Sequence, residues 1–305
     1  MNSPRPDWRQ RLRLRLRRRK PGEPVSPDEL MLGEQSLRAH CEQVLGQAPG
    51  HAWRLGGANN SQSLRVVAGE KHYKVFECAS AARARAAASA LEHLHAAGVP
   101  VPVLHGLSGQ VVITGWVAGI PGKALSRRVL AGAMPLALAR LHQVRPSLQT
   151  EAMPHVQWLL ERLQHEASPH AGDERVMAVI KRLRERAPAT SPLSVIHPDY
   201  IPANLVLAES ETLVPVDNEF LAVGRGMELD VLNAADALYR KWPRARERFI
   251  QAWQTVVDDA TLESHRDWWE AMLQVQLIGG AFVRGKTAKG LRRLKALESH
   301  LGSLD

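Results

Sequence analysis

Apolar and polar residues follow two regimes along this chain. Between residues 51 and 114 the apolar positions come in short runs, and the spacing predicts strands over 51–55, 64–68, 72–76 and 111–114. Gly56-Gly-Ala-Asn-Asn-Ser61 separates the first two as a polar turn, and Gly69-Glu70 joins the next two. Helical spacing of Leu37, Cys41, Val44 and Leu45 predicts a helix over 33–46. The alanine-rich stretch 79–97 predicts another, stopped by Gly98 ahead of Val99-Pro-Val-Pro102. Beyond residue 119 the helical period dominates: 126–141, 156–167, 173–187 and three more helices between 227 and 301. Only 194–196, 205–208 and 213–216 read as strands there. This order predicts an α+β fold, with a small mixed β/α N-terminal lobe over 35–115 and a mainly helical C-terminal lobe over 116–305. Pro21, Gly22, Pro24 and Pro27 mark residues 1–34 as an arm and linker.

Composition changes one part of this picture. The net charge of +9 is concentrated in residues 1–20, which hold nine of the 40 basic residues against one acid, Asp7. The rest of the chain is nearly balanced, so its folded part is not expected to bind a specific nucleic acid. Within the arm, Trp8, Leu12 and Leu16 recur every fourth residue, so a helix there would carry an apolar stripe in a cationic surround. Residues 5–20 could therefore meet an anionic membrane surface, each basic side chain adding about 1 kcal/mol, or remain a solvated tail. Two cysteines, Cys41 and Cys78, offer no disulfide framework, and no apolar run of membrane-spanning length is present. The expected address is cytoplasmic, with peripheral contact at the inner face of the membrane if the arm binds lipid.

Candidate chemistry concentrates in His197-Pro-Asp-Tyr-Ile-Pro-Ala-Asn204 and in Asp217-Asn-Glu219. Phosphoryl transfer needs a group to orient a hydroxyl and hard oxygens to hold divalent metal, and an Asp, an Asn and a second Asp supply those types. In an extended segment Glu219 shares a side with Asp217. This pattern resembles the catalytic core of the aminoglycoside phosphotransferase and choline-kinase-like small-molecule kinases, with Pro198 where that family usually has Gly. The resemblance implies a two-lobed protein-kinase-like fold and spans about residues 50–240. It implies Asp199 as catalytic base, Asn204 and Asp217 as magnesium ligands, and His197, Glu219 and Asp230 as supporting residues.

Further landmarks of the same resemblance lie in the small lobe. Lys74, in His72-Tyr-Lys-Val-Phe76, would contact the phosphates of ATP, with Lys71 as a rival facing the other way. Gly57 and Ser61 would cover those phosphates, and the backbone around Thr114 and Trp116 would hold adenine. The family usually places a Glu early in the following helix to pair with the lysine, and here that position is Ala87. Either the helix is shifted, or Lys74 lacks its usual partner. The expected function is an ATP- and magnesium-dependent phosphotransferase acting on a hydroxyl of a sugar, amino-sugar or amino-alcohol, including an envelope or lipid-linked glycan. The alternative is a catalytically weak, kinase-like nucleotide-binding protein recruited to a membrane or other polyanion by its arm. Nothing in the sequence identifies the acceptor, although Trp268 and Trp269 lie among the helices expected to line its site.

Overall fold

A computed structural model of the chain describes residues 22–55, 63–146, 154–189, 191–258 and 260–302. The arm over 1–20 and the turn with Gly57 and Ser61 lie outside these described residues. The chain divides into two compact units, one formed by 1–88 with 102–116, the other by 89–101 with 117–305.

The first unit is built on an antiparallel sheet of six strands, in the order β1-β4-β5-β6-β8-β7. These are β1 (Pro24–Val25), β4 (His51–Arg54), β5 (Ser63–Ala68), β6 (Lys71–Glu77), β7 (Leu104–Ser108) and β8 (Val111–Gly115). A separate hairpin pairs β2 (Met31–Leu32) with β3 (Gln35–Ser36), so helix α1 (Leu37–Leu45) starts later than its apolar spacing predicts. Ser36 fixes that start, its hydroxyl accepting from Ala39 N at 3.2 Å. Gly46 ends the helix in the left-handed region at φ 70°, where a Cβ would be strained. Strand alternation then sorts the core. Leu64, Val66, Tyr73, Val75, Val111 and Ile113 join Leu37 and Cys41 of α1 in one apolar cluster. Residues of opposite parity, Phe76 and Val112, pack with Ala84 of helix α2 (Ala81–Ala96) in another. Lys74 shares the parity of Phe76, so it belongs to the α2 side of the sheet.

In the second unit, β9 (Gly119–Pro121), β11 (Leu205–Ala208) and β12 (Leu213–Pro215) form a three-stranded sheet in the order β12-β11-β9. A second pair joins β10 (Ser194–Ile196) to β13 (Ala222–Gly224). Around them lie α3 (Arg127–Gln143), α4 (His155–Ala171), α5 (Asp173–Glu185), α6 (Met227–Tyr239), α7 (Pro243–Gln254), α8 (Ala260–Ser264), α9 (Arg266–Val283) and α10 (Thr287–Gly302). Where the sequence predicts three helices between 227 and 301, the described residues form five. Pro243, which cannot donate to a helical bond and suits a helix's first turn, restarts the chain as α7. No helix among the described residues is long and apolar enough to cross a membrane.

The strand pairing is nested, and this positions the site. β10 pairs with β13 outside, and β11 pairs with β12 inside, Val206 opposite Val214. The segments 197–204 and 216–221 are the two links between these pairs, so they must run side by side. Val216 N–H donates to the Asn204 carbonyl at 2.9 Å and fastens one to the other.

Candidate active site

Asp199 lies in the first of these links, and its surroundings are set by backbone as much as by side chains. Tyr200 N–H donates to the His197 carbonyl at 3.0 Å and Ile201 N–H to the Asp199 carbonyl at 2.9 Å, turning the chain tightly. The short 3-10 turn Pro202–Asn204 then aims Asn204 back at Asp199. Its Nδ2 donates to both the Asp199 carbonyl and Oδ2, each at 2.9 Å. Both targets are acceptors, so the amide nitrogen must face them. The Asn204 Oδ1 is left with no hydrogen-bond donor among the described residues.

Burial raises the Asp199 pKa above the ordinary carboxylate range. The charge of Asp217 raises it further, while His197, the Asn204 hydrogen bond and Arg284 oppose the rise. A base poised closer to neutral pH transfers protons more efficiently. Asp217 stands two residues beyond β12 and is partly exposed, whereas Glu219 is buried. Among the described residues no group of three or more His, Cys, Asp or Glu could hold a metal. The available donor set is instead one carboxylate, Asp217, and one amide oxygen, that of Asn204. Both are hard oxygens, and a divalent cation would relieve the repulsion between Asp199 and Asp217, so the residues fit magnesium.

Behind the loop lies a chain of buried hydrogen bonds. Trp253 Nε1–H can only donate, so at 3.0 Å from His142 Nδ1 it places the imidazole proton on Nε2. That Nε2–H donates to Asp230 Oδ2 at 3.2 Å, and the same oxygen accepts the His197 backbone N–H. Asp230 therefore anchors the first residue of the loop. Pro198 is held through its carbonyl, which accepts from Asn233 Nδ2 at 2.9 Å and from Gln276 Nε2 at 3.0 Å. The His197 ring packs edge-on against Tyr200 at 5.5 Å, with neither nitrogen hydrogen-bonded among the described residues. Burial lowers its pKa, so the imidazole is neutral and acts as packing.

Asn233 and Gln276 were missed by sequence reasoning. Asn233 sits one turn after Asp230 on α6, a usable signal, whereas Gln276 offers none. Trp268 and Trp269 are buried, and the Trp268 indole donates to the Leu183 carbonyl at 2.7 Å.

In the first unit, Lys74 is 8% exposed and stands opposite Arg65 and Thr114 in the sheet. Its Nζ lies 5.3 Å from the centre of the Phe76 ring. Lys71 is exposed at the strand end. Thr114 is fully buried, with no hydrogen bond at its hydroxyl among the described residues. Trp116 N–H donates to the His72 carbonyl at 3.0 Å, and Gly115 N–H to the Val103 carbonyl at 2.8 Å, so these two amides are already engaged. The Arg65 guanidinium lies 4.9 Å from the Trp116 ring centre. Ala87 is fully buried one turn after Ala84, and α2 contains one acid, Glu92, which is exposed. Glu77 instead accepts from Gly33 N–H at 2.9 Å and from Gln110 Nε2, fastening the β2–β3 turn.

Several solved structures share this fold. The choline kinase LicA from Streptococcus pneumoniae superposes with a TM-score of 0.61 at 14% identity, covering 86% of this chain and 96% of that one. LicA has also been solved in complex with AMP. A choline/ethanolamine kinase family protein from Mesorhizobium loti gives 0.58 at 19% identity, over 83% and 92% of the two chains. An aminoglycoside-3'-phosphotransferase of type VIII gives 0.54 at 20% identity, over 72% and 90%. The fold is thus protein-kinase-like, as the resemblance implies. No curated protein matches the sequence. The phosphotransferase enzyme family matches over residues 54–268, well over half the chain and inclusive of every residue of the Asp199 loop and the Asp217 segment. The chain belongs to that family, and as an enzyme it is a phosphotransferase.

Proposed function

We propose that the chain is an ATP- and magnesium-dependent kinase that phosphorylates a hydroxyl of a small sugar-like or alcohol acceptor. The observation that carries this reading is the double hydrogen bond from Asn204 to Asp199, made beside Asp217 by the nested strand pairs. It orients a carboxylate whose pKa is raised and leaves an amide oxygen next to a second carboxylate. Asp199 would take the proton from the acceptor hydroxyl as that oxygen bonds to the γ-phosphorus. The bridging electron pair would leave with the nucleoside diphosphate. Asn204 Oδ1 and Asp217 would hold magnesium, which when bound neutralises phosphate charge. Lys74, on a central strand of its sheet, would bind nucleotide phosphates, and the adenine would rest near Thr114 and Trp116. Asp230 and His197 would support the loop from behind, and Glu219 would flank the acceptor.

The test is transfer of labelled phosphate from ATP to a panel of sugars and alcohols, with magnesium and after chelation. Asp199→Ala is expected to lose about 10²- to 10⁴-fold of the rate, the usual contribution of a positioned base. Equal transfer by the variant and the natural enzyme would refute the assignment. The basic arm, residues 5–20, is a candidate anchor to anionic lipid, tested by vesicle flotation with and without it.

A further inference from the structure

Helix α9 reaches the catalytic loop and then continues past it with two consecutive glycines. Gln276 holds the Pro198 carbonyl at 3.0 Å, directly beside Asp199 in sequence. One turn on come Gly279 and Gly280, and two guanidiniums use the space their missing side chains leave. A Cβ at 279 would meet Arg162 Nε at 3.3 Å, and one at 280 would meet an Arg284 Nη atom at 3.0 Å. Adjacent glycines inside a helix weaken it, so such a pair marks a place where something must approach the backbone closely.

Arg162 comes from α4, and its guanidinium lies 5.3 Å from the ring centre of Trp158. Trp158 in turn neighbours Phe220 at 6.2 Å, the residue following Glu219. Arg162 is half-buried and Arg284 exposed. Among the described residues neither guanidinium is hydrogen-bonded or ion-paired at contact distance. Both nonetheless share an electrostatic field with the base. Asp199 and Glu166 are both electrostatic partners of Arg162, and Arg284 is one of Asp199. Lys286, Lys289, Arg293 and Arg240 stand with Arg284: Arg293 and the other cations lower the Lys289 pKa, and burial, then Arg240 and Arg284, lower that of Arg293. Asp236 offsets part of this, but it is bonded to Arg240. The end of α9 therefore carries a cluster of basic side chains, set against the acids Asp199, Asp217 and Glu219 of the two links.

We propose that the acceptor carries an anionic oxygen group, a phosphate or a carboxylate, held beside Asp199 by Arg162 and Arg284. The inference rests on the kinase reading above and narrows its acceptor. A guanidinium's planar fork matches such groups in two-point contacts, and a half-buried one gains most from a charged partner. A cationic amino-alcohol or amino-sugar at this position would meet like charge.

The experiment compares acceptors that share a carbon skeleton and carry a neutral, anionic or cationic substituent. Binding of glucose, glucose 6-phosphate, glucuronate and glucosamine, and of glycerol, glycerol 3-phosphate and glycerate, is measured by titration calorimetry. The proteins are the natural chain, R162Q and R284Q. In at least one series the anionic members should bind tenfold or more tighter than the neutral one, about 1.4 kcal/mol, with the cationic one weakest. Each substitution should remove about tenfold of that preference, and phosphate against carboxylate identifies the group. Arg284 is exposed, so R284Q remains informative even if R162Q folds poorly. No anionic advantage in either series, or one that survives in R284Q, overturns the proposal. So does an equal fall in kcat for glucose and glucose 6-phosphate, which would place the arginines on the transferred phosphoryl group. If Asp199→Ala transfers phosphate as well as the natural enzyme, the kinase reading falls, independently of the binding result.

Discussion

The carbonyl of Pro198 offers a quantitative test of how the loop is held. It accepts two side-chain N–H groups, from Asn233 and Gln276, and Pro198 is buried. Replacing Asn233 by Leu removes one donor while the other still satisfies the carbonyl, at a cost of about 1 kcal/mol. Gln276→Met removes the other donor but also an amide oxygen that has no partner among the described residues, so its cost is about 1 kcal/mol or less. Combined, the two changes leave a buried carbonyl with no donor, which adds a penalty of about 1–3 kcal/mol beyond the single effects. The double-mutant cycle should therefore show a coupling of about 1–3 kcal/mol, read from urea unfolding with a shared m-value. Activity should follow the same pattern. Loss of the second clamp frees the backbone next to Asp199, and a shift of about 1 Å there costs on the order of 10²-fold in kcat. Additivity within about 0.3–0.5 kcal/mol, the usual result for independent sites, would refute the claim that the carbonyl needs one of the two amides.

Asp199→Asn separates function from stability. A raised folded pKa means the carboxylate stabilises the fold most at low pH and loses that contribution as pH rises through the folded value. The variant should lose activity yet gain stability relative to the natural protein as pH increases, checked by unfolding at pH 5 and pH 8. For the same reason the acid limb of kcat/KM should lie above the ordinary Asp value of about 3.9, and a limb at or below it would contradict the assignment. Burial pushes the Tyr200 phenol up, and its hydroxyl has no hydrogen-bond partner among the described residues, so Tyr200→Phe should be at least as stable as the natural protein. A loss above about 1 kcal/mol would reveal a partner for that hydroxyl. Ala87→Glu places a carboxylate in a fully buried site against the sheet and should destabilise by more than about 2 kcal/mol. Unchanged stability with higher activity would mean that Lys74 accepts the new charge.

What the sequence made legible was local. The period-two runs located β4, β5, β6 and β8, and the spacing of Asp199, Asn204 and Asp217 survives as real proximity because two strand pairs nest around it. β10 and β12 registered at three residues as apolar runs, whereas β1, β9 and β13 each contain a Pro or a Gly that breaks such a run. β7 escaped because it follows a Pro-rich turn and contains Gly106 at φ 154°. The second clamp on Pro198 and the two arginines escaped for another reason. Gln276 reaches the loop from a helix far away in sequence, Arg162 and Arg284 lie against the two glycines one turn on, and only packing decides which residues meet there.

That dependence has a consequence for how the enzyme comes into being. The bonds that shape the loop close over separations of 33, 35, 78 and 88 residues. Such distant closures cost chain entropy before they return anything, and they form late. During synthesis the Asp199 loop will have left the ribosome well before Gln276 exists. A nascent or prematurely ended chain therefore holds its base loosely, and competence arrives only with the last helices.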